Sequence, residues 1–271
     1  MRKFGICVNS GKQEALAVLE RVKKTFEAGG CGVEVFDLMK DTQSDDAAAS
    51  GLEAVISLGG DGTLLGAARF FSRYDIPILG INLGRVGFLT TEEEENAEQV
   101  VRQLIEKNYT VARRLMLSAN VNGTDGYYAV NELGIFAKEA CKLIEVKVWV
   151  DGELAMKYRG DGLLLATPTG STAYSLSAGG PVIDPKIHCI LITPVCSHSL
   201  TRPIVAEPNA HIRVDAEAPG EIAVVFDGQR ELLELSGTVC VEKSRHEFKL
   251  ISQQPQSYYG LLHSKIFSNI S

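Results

Sequence analysis

The residues Ile56-Ser57-Leu58-Gly59-Gly60-Asp61-Gly62-Thr63 join an apolar run to three glycines and one carboxylate, and the apolar, alanine-rich stretch 64–71 follows. This order predicts a buried strand, a tight loop and then a helix, which is the basic step of an α/β fold. Glycines let backbone amides approach an anion closely, and the helix would direct its positive end to the same place. A carboxylate in such a loop suits a site that holds phosphates and also handles a hydroxyl or a metal ion. The stretch therefore indicates phosphoryl transfer.

The same alternation of strand and helix patterns extends over residues 1–110. Apolar residues recur at helical spacing between residues 15 and 26 and again between Ala97 and Ile105, and we expect the second helix to begin at Thr91. Alternation of this kind predicts a parallel, Rossmann-like sheet covered by helices. The strands are predicted at residues 4–8, 33–36, 54–58 and 76–81.

Beyond residue 110 the pattern changes to short strand-like runs separated by turn dipeptides. These dipeptides are Asp125-Gly126, Asp151-Gly152 and Asp227-Gly228. The pattern predicts a β-rich domain over residues 111–250, and the segment 251–271 is apolar enough to pack back on the first domain. The fold class expected is therefore an α/β N-terminal domain followed by a β-rich C-terminal domain, α+β overall.

Composition limits the possible functions of the chain. It has 271 residues, 45% of them hydrophobic and 23% charged, with a net charge of −7, which argues against a nucleic-acid partner. No apolar run approaches the ~20 residues of a membrane span. Six cysteines and five histidines are scattered without ligand spacing, which favours a cytoplasmic protein with no metal site formed by its own residues.

Two further groups of residues have the character of a binding site. Asn131-Glu132 lies within the apolar run 127–136, which is predicted to be a strand, and polar side chains there are costly unless they are hydrogen-bonded. Small hydroxyl residues and glycines are dense over 159–175, where backbone could approach a ligand while hydroxyls make directional contacts. Structural readings stay open for each group: a helix cap at Asp61, a strand end at 131–132, and a purely structural loop at 159–175. Phe88 could line the cleft or belong to the core.

Taken together, these residues resemble the NAD kinase family. Gly-Gly-Asp-Gly-Thr at 59–63, Asn-Glu at 131–132 and the Gly/Ser-rich run at 160–180 stand in the family's order. The resemblance runs from about residue 2 to 267. Gly-Gly-Asp-Gly alone is also found in phosphofructokinases and in diacylglycerol and sphingosine kinases.

The resemblance implies ATP-dependent phosphorylation of the adenosine ribose 2′-hydroxyl of NAD, which gives NADP. It implies that Asp61 is the general base, that Asn131 and Glu132 bind the adenosine part, and that Asp161 binds the nicotinamide end. Phosphate binding is implied for Gly59, Gly60, Gly62 and Thr63. Other residues implied to contact the substrate are Gly62, Phe88, Lys142, Arg159, Thr172, Ala173, Tyr174, Ser175, Leu176, Ser177 and Gln229.

The resemblance further implies Mg²⁺ or another divalent metal ion bound with ATP, and a homodimer or homotetramer assembled through the β domain. Two other functions are compatible with parts of the pattern. One is a lipid or sugar kinase that shares the glycine loop, although such an enzyme has no need of the polar residues at 131–132 and 167–177. The other is a non-catalytic NAD sensor, which would need neither Asp61 nor a metal ion.

Overall fold

The structure is a computed structural model that describes residues 1–9, 11, 13–38, 46–84, 87–139, 141–235, 237–253 and 257–268. The chain forms two compact units. The first contains Met1–Arg113 together with the residues from Phe248 onward, and the second contains Arg114–Glu247. The boundaries predicted from the sequence lie after residues 110 and 250.

The secondary structure follows the predicted change from alternating elements to consecutive strands. The helices are α1 Gln13–Ala28, α2 Asp46–Ala49, α3 Asp61–Phe71, α4 Ala97–Ile105, α5 Tyr174–Ser177 and α6 Tyr258–Leu262. The strands are β1 Lys3–Val8, β2 Gly32–Asp37, β3 Val55–Leu58, β4 Ile78–Asn82, β5 Glu92–Glu93, β6 Thr110–Val121, β7 Thr124–Ala129, β8 Glu132–Ala137, β9 Ile144–Val150, β10 Glu153–Gly160, β11 Gly162–Ala166, β12 Ile190–Val195, β13 Ile204–Ala206, β14 Ile212–Glu217, β15 Ile222–Phe226, β16 Gln229–Glu234 and β17 Thr238–Ser252.

The first unit is built on a parallel sheet with the strand order β2-β1-β3-β4, and β5 and the end of β17 both pair with β4. Alternate residues of β1, including Phe4 and Ile6, pack in one core cluster with the apolar faces of α1 and α4. On β2, Phe36 makes an edge-to-face contact with Phe71 of α3, with ring centroids 4.9 Å apart. Helices therefore cover the sheet, which confirms the α/β prediction.

The second unit is a β-sandwich. One antiparallel sheet has the order β13-β12-β11-β8-β15-β16, and the strands β10-β9-β14-β17, with β6 and β7, form the other. Inward residues from both sheets form one buried cluster, to which Leu133 and Leu165 contribute from the first sheet and Val146 and Val214 from the second. The predicted β-rich domain is confirmed.

Two of the three predicted turns are present in the structure, and the third lies at a different pair of residues. Asp151-Gly152 joins β9 to β10 and Asp227-Gly228 joins β15 to β16, with positive φ at all four residues. The prediction at Asp125-Gly126 was wrong, because that pair lies inside β7 and the turn from β6 to β7 is made by Asn122-Gly123, with φ of 53° and 83°. Both pairs suit such a turn, and the register in which β7 pairs with β6 decides between them.

Two other local predictions need correction. The helix expected to begin at Thr91 begins at Ala97, because Glu92–Glu93 pairs with β4 and a 3₁₀ turn, Glu94–Asn96, follows. The strand expected to contain Asn131-Glu132 is interrupted between Ala129 and Glu132. The pair stands at the break between β7 and β8, where Glu132 is the first residue of β8.

Candidate active site

The glycine loop places Asp61 at the start of α3. Gly59 has a φ of 151°, and a Cβ atom there would overlap the side chain of Thr63. Its amide donates to the carbonyl oxygen of Ile81 in β4 at 2.9 Å, which fixes the end of β3. Gly60 is the N-cap residue and has no side chain to cap the helix. This backbone leaves the positive end of an 11-residue helix next to Gly60, Gly62 and Thr63, an arrangement that suits phosphate groups.

The carboxylate of Asp61 accepts hydrogen bonds from another segment of the chain. The amides of Phe88, Leu89 and Thr90 donate to it at 2.8, 3.2 and 2.9 Å, and the Thr90 hydroxyl donates at 2.8 Å. A Cβ atom at Gly87 would overlap the carboxylate, so this close approach requires glycine. Asp61 is therefore not the cap of its own helix, and the amides around it come from 88–90 rather than from the glycine loop.

In the second unit, Asn131 and Glu132 each carry a buried polar oxygen with an unusual environment. Neither Oδ1 of Asn131 nor Oε2 of Glu132 has a hydrogen-bond partner in the part of the chain that the structure describes. Glu132 is only 5% exposed. Burial, and then the charge of Asp227, raises the pKa of Glu132 to about 8. Because a buried polar atom without a partner costs about 1–3 kcal/mol, this pair is suited to a ligand that supplies the missing hydrogen bonds.

Asp227 holds that pair in place. Its carboxylate accepts hydrogen bonds from the amides of Val130, Asn131 and Glu132, the shortest at 2.7 Å. Its own amide donates to the carbonyl oxygen of Glu132 at 2.8 Å. Asp227, which lies in the turn between β15 and β16, thus fixes the backbone of the break between β7 and β8. The turn pattern Asp227-Gly228 does not predict this second role.

The segment that follows β11 packs directly on the same break. The Thr167 amide donates to the carbonyl oxygen of Asn131 at 2.8 Å, and its hydroxyl donates to that of Val130 at 2.6 Å. A Cβ atom on Gly170 would overlap the Asn131 carbonyl group. The density of small residues in this segment therefore permits close packing of backbone on backbone.

The residues 172–177 differ in what they expose. Tyr174 stacks on Phe136, with ring centroids 5.8 Å apart, and remains 46% exposed. Ser175 is buried, and its hydroxyl forms a hydrogen bond with that of Thr193 in β12 at 2.9 Å, which attaches α5 to this strand. Three other members are partly accessible and one is exposed: Thr172, Ala173 and Leu176 are half-buried, and Ser177 is exposed.

The remaining predicted residues lie at strand ends and surfaces. Arg159 is exposed near the end of β10, and Lys142 is exposed just before β9. Asp161 is exposed, and its carboxylate raises the pKa of the neighbouring Cys196 thiol by hydrogen bonding. Phe88 is half-buried and contacts Asp61 through its amide. Gln229 is the first residue of β16, and its side chain lies outside the described part of the structure.

Several hydrogen bonds around the candidate residues of each unit could not be predicted from sequence alone. Thr90 and Asn82 hydrogen-bond to each other beside Asp61, Asp227 holds 130–132, and Thr167 anchors the loop after β11. Sequence spacing offered no signal for Asp227 or Thr90, since each acts on residues far away along the chain. Across the described residues there is no cluster of three or more His, Cys, Asp or Glu side chains able to hold a metal ion, and no helix with the length and hydrophobicity of a membrane span.

The sequence of this chain matches two protein-family profiles and is similar to known proteins. The sequence profile of the ATP-NAD kinase N-terminal domain matches residues 22–109, and that of the ATP-NAD kinase C-terminal domain matches residues 130–253. An NAD kinase from Clostridium botulinum (strain Kyoto / Type A2) is 34% identical over 98% of this chain and 96% of its own. An NAD kinase from Chlorobium luteolum is 37% identical over 97% of this chain and 96% of its own. The chain belongs to the NAD kinase family.

Solved structures agree with this assignment. The crystal structure of an NAD kinase from Archaeoglobus fulgidus in complex with ATP is similar with a TM-score of 0.79 and 28% identity, covering 98% of this chain and 99% of that one. The yeast NADH kinase complexed with NADH shares the fold, with a TM-score of 0.87 at 22% identity over 100% of this chain and 89% of that one. Members of the NAD kinase family are phosphotransferases, so a lipid or sugar kinase and a non-catalytic sensor are less well supported than an NAD kinase.

Proposed function

We propose that this protein transfers the γ-phosphoryl group of ATP to the 2′-hydroxyl of the adenosine ribose of NAD, giving NADP. The observation that carries the proposal is the carboxylate of Asp61, held by four donors at the N-terminal end of α3, directly after a glycine loop. A carboxylate fixed in this way is suited to receive a proton from an alcohol while the helix end binds phosphate.

In the proposed reaction Asp61 is the general base. Phosphoryl transfer passes through a loose transition state, so the base has to orient the hydroxyl and take up its proton late. The phosphate groups bind at Gly59, Gly60, Gly62 and Thr63. The described part of the chain has no group of three or more His, Cys, Asp or Glu side chains able to hold a metal ion, so a divalent ion would be held chiefly by the triphosphate itself, as Mg²⁺ commonly is. Bound there, Mg²⁺ supplies neutralisation of charge on the phosphates.

The dinucleotide would be bound by the second unit. Asn131 and Glu132 would contact the adenosine part. Their buried oxygens, which have no hydrogen-bond partner among the described residues, support this assignment. Asp161 would bind the nicotinamide end. Further contacts are proposed for Gly62, Phe88, Lys142, Arg159, Thr172, Ala173, Tyr174, Ser175, Leu176, Ser177 and Gln229.

The function is tested by incubating the purified protein with Mg·ATP and either NAD or diacylglycerol. We expect stoichiometric NADP and ADP with NAD and no product with diacylglycerol. Phosphorylation of the lipid would favour the lipid kinase, and tight NAD binding without ADP release would favour the sensor. A homodimer or homotetramer and a cytoplasmic location remain predictions from the sequence, and light scattering of the purified protein tests the first.

The substitution Asp61→Asn tests the role of the base. The amide group is similar in size but cannot accept the proton, so we expect turnover to fall by about 10²–10⁴-fold. The dissociation constant for NAD, measured by calorimetry, should stay within about threefold of the wild-type value. Near-normal turnover in the mutant would show that Asp61 is not the base.

A further inference from the structure

The two oxygens of the Asp61 carboxylate have different surroundings. Oδ1 accepts three hydrogen bonds, from the amides of Leu89 and Thr90 and from the Thr90 hydroxyl. Among the residues that the structure describes, Oδ2 accepts only one, from the amide of Phe88 at 2.8 Å. An ionised carboxylate has about four acceptor positions, two on each oxygen. The two positions on Oδ1 are filled by its two shorter bonds, from the Thr90 hydroxyl and the Thr90 amide, and the Leu89 amide at 3.2 Å is a longer third contact. Oδ2 keeps room for one more donor.

The donor that completes the set on Oδ1 is itself held in one orientation. The Thr90 side chain is 0% exposed, and its hydroxyl accepts a hydrogen bond from Nδ2 of Asn82 at 2.9 Å. A hydroxyl has a single proton, and the Asn82 amide nitrogen can only donate, so the Thr90 proton is directed to Asp61.

Neighbouring backbone fixes both side chains. Oδ1 of Asn82 accepts from the amide of Gly84 at 2.8 Å, which determines which end of the Asn82 amide faces Thr90. A Cβ atom on Gly80 would lie 2.6 Å from the Thr90 methyl group, so the strand allows this side chain only because it has glycine there. The row Gly84–Asn82–Thr90–Asp61 thus has a single hydrogen-bonding direction.

We infer that Thr90 is a positioning residue: oriented by Asn82, it saturates Oδ1 of Asp61, so that Oδ2 is the oxygen that takes the substrate proton. This inference rests on the proposed function. In the step, the O–H bond of the ribose 2′-hydroxyl breaks and its proton passes to Oδ2. The ribose oxygen bonds to the γ-phosphorus, and the bond from that phosphorus to the bridging oxygen breaks, releasing ADP.

The test compares Thr90→Val, which keeps the shape and removes the hydroxyl, with Thr90→Ser, which keeps the hydroxyl. Because Oδ1 would lose its shortest hydrogen bond and could then compete with Oδ2 for the substrate proton, we expect Thr90→Val to lower kcat by about 10- to 100-fold. The KM and the dissociation constant for NAD should change by less than about threefold, since Thr90 does not touch the substrate. Thr90→Ser should restore kcat to within about threefold of the wild-type value. The neighbouring Thr91→Val is the matched control and should leave kcat unchanged.

If Thr90→Val does not fold, as judged by circular dichroism, the pair Thr90→Ala and Thr90→Ser replaces it, because both lack the methyl group and differ only in the hydroxyl. A wild-type kcat in the variant without the hydroxyl, or equal losses in Ala and Ser, would overturn the inference while leaving the proposed function intact. Failure of the wild-type protein to form NADP would instead overturn the proposed function.

Discussion

Burial and a neighbouring charge both raise the pKa of Glu132. Removal of the carboxyl group from water disfavours its ionised form, and the negative charge of Asp227 disfavours it further, which raises the pKa of Glu132 to about 8. Glu132 is therefore mostly protonated at neutral pH and is able to donate a hydrogen bond as well as accept one. A ligand acceptor facing Oε2 would match this state.

The raised pKa predicts a dependence of stability on pH. Below the unfolded value of 4.5, Glu132 is neutral in both states and its contribution is fully present. As the pH rises from about 4.5 to about 8, only the unfolded state ionises, so stability is lost over this interval. Glu132→Gln stays neutral throughout. We expect it to unfold with a free energy about 1–4 kcal/mol higher than the wild type at pH 8, and with no such gain at pH 4.5, measured by urea titration. Parallel pH profiles for the two proteins would contradict this.

Among the elements, the 3₁₀ turn Thr169–Thr172 depends on a close approach to the β7–β8 break. The Gly170 amide donates to the Thr167 hydroxyl at 3.0 Å, and Thr167 in turn bonds the backbone of Val130 and Asn131. The turn and the break are therefore positioned by each other.

Substitution of Gly170 should disrupt this contact. A Cβ atom at that position would overlap the Asn131 carbonyl group, so Gly170→Ala has to move backbone and not a flexible side chain. We expect a loss of about 1–3 kcal/mol in the free energy of unfolding and a KM for NAD raised by about tenfold or more. The control is Gly260→Ala in α6, where a Cβ atom would meet its nearest neighbour at 3.6 Å. If the two variants change the free energy of unfolding and the KM for NAD equally, the close approach at Gly170 is not the cause of the loss.

On the scale of the whole molecule, an acidic chain has to act on two anionic substrates. The net charge of −7 gives no general attraction for phosphates, and no carboxylate cluster for a metal ion is present in the described residues. Under the proposed function, the attraction would come from the local backbone at the N-terminal end of α3 and from a cation that accompanies the nucleotide.

Removal of the divalent metal ion should therefore stop NADP formation without weakening the binding of NAD. With excess EDTA we expect NADP formation to fall below detection, while the dissociation constant for NAD alone changes by less than about threefold. Mg²⁺ added in excess of EDTA is the control and should restore the rate. Turnover that persists in EDTA, with or without a metal ion retained by the protein in native mass spectrometry, would contradict a cation carried by the nucleotide.

Much of the architecture follows from short-range patterns. The helical spacing of apolar residues from 15 to 26 and the Asp151-Gly152 turn both appear in the structure as predicted, because they depend on neighbours a few residues away. Where two local signals competed, as at Asn122-Gly123 and Asp125-Gly126, the pairing of β6 with β7 decided the outcome. The same was true at Thr91, where pairing of Glu92–Glu93 with β4 delayed the helix.

Local patterns in the sequence were sufficient to predict the order of most elements, the glycine loop and the place of Asp61 between a strand and a helix, since periodicity and backbone freedom are local properties. Tertiary contacts alone bring Phe88–Thr90 to Asp61 and Asp227 to 130–132, and they bury Glu132, which raises its pKa. These contacts join residues 27 to 97 positions apart. They depend on strand order, register and exclusion of water, and these arise when the sheets assemble.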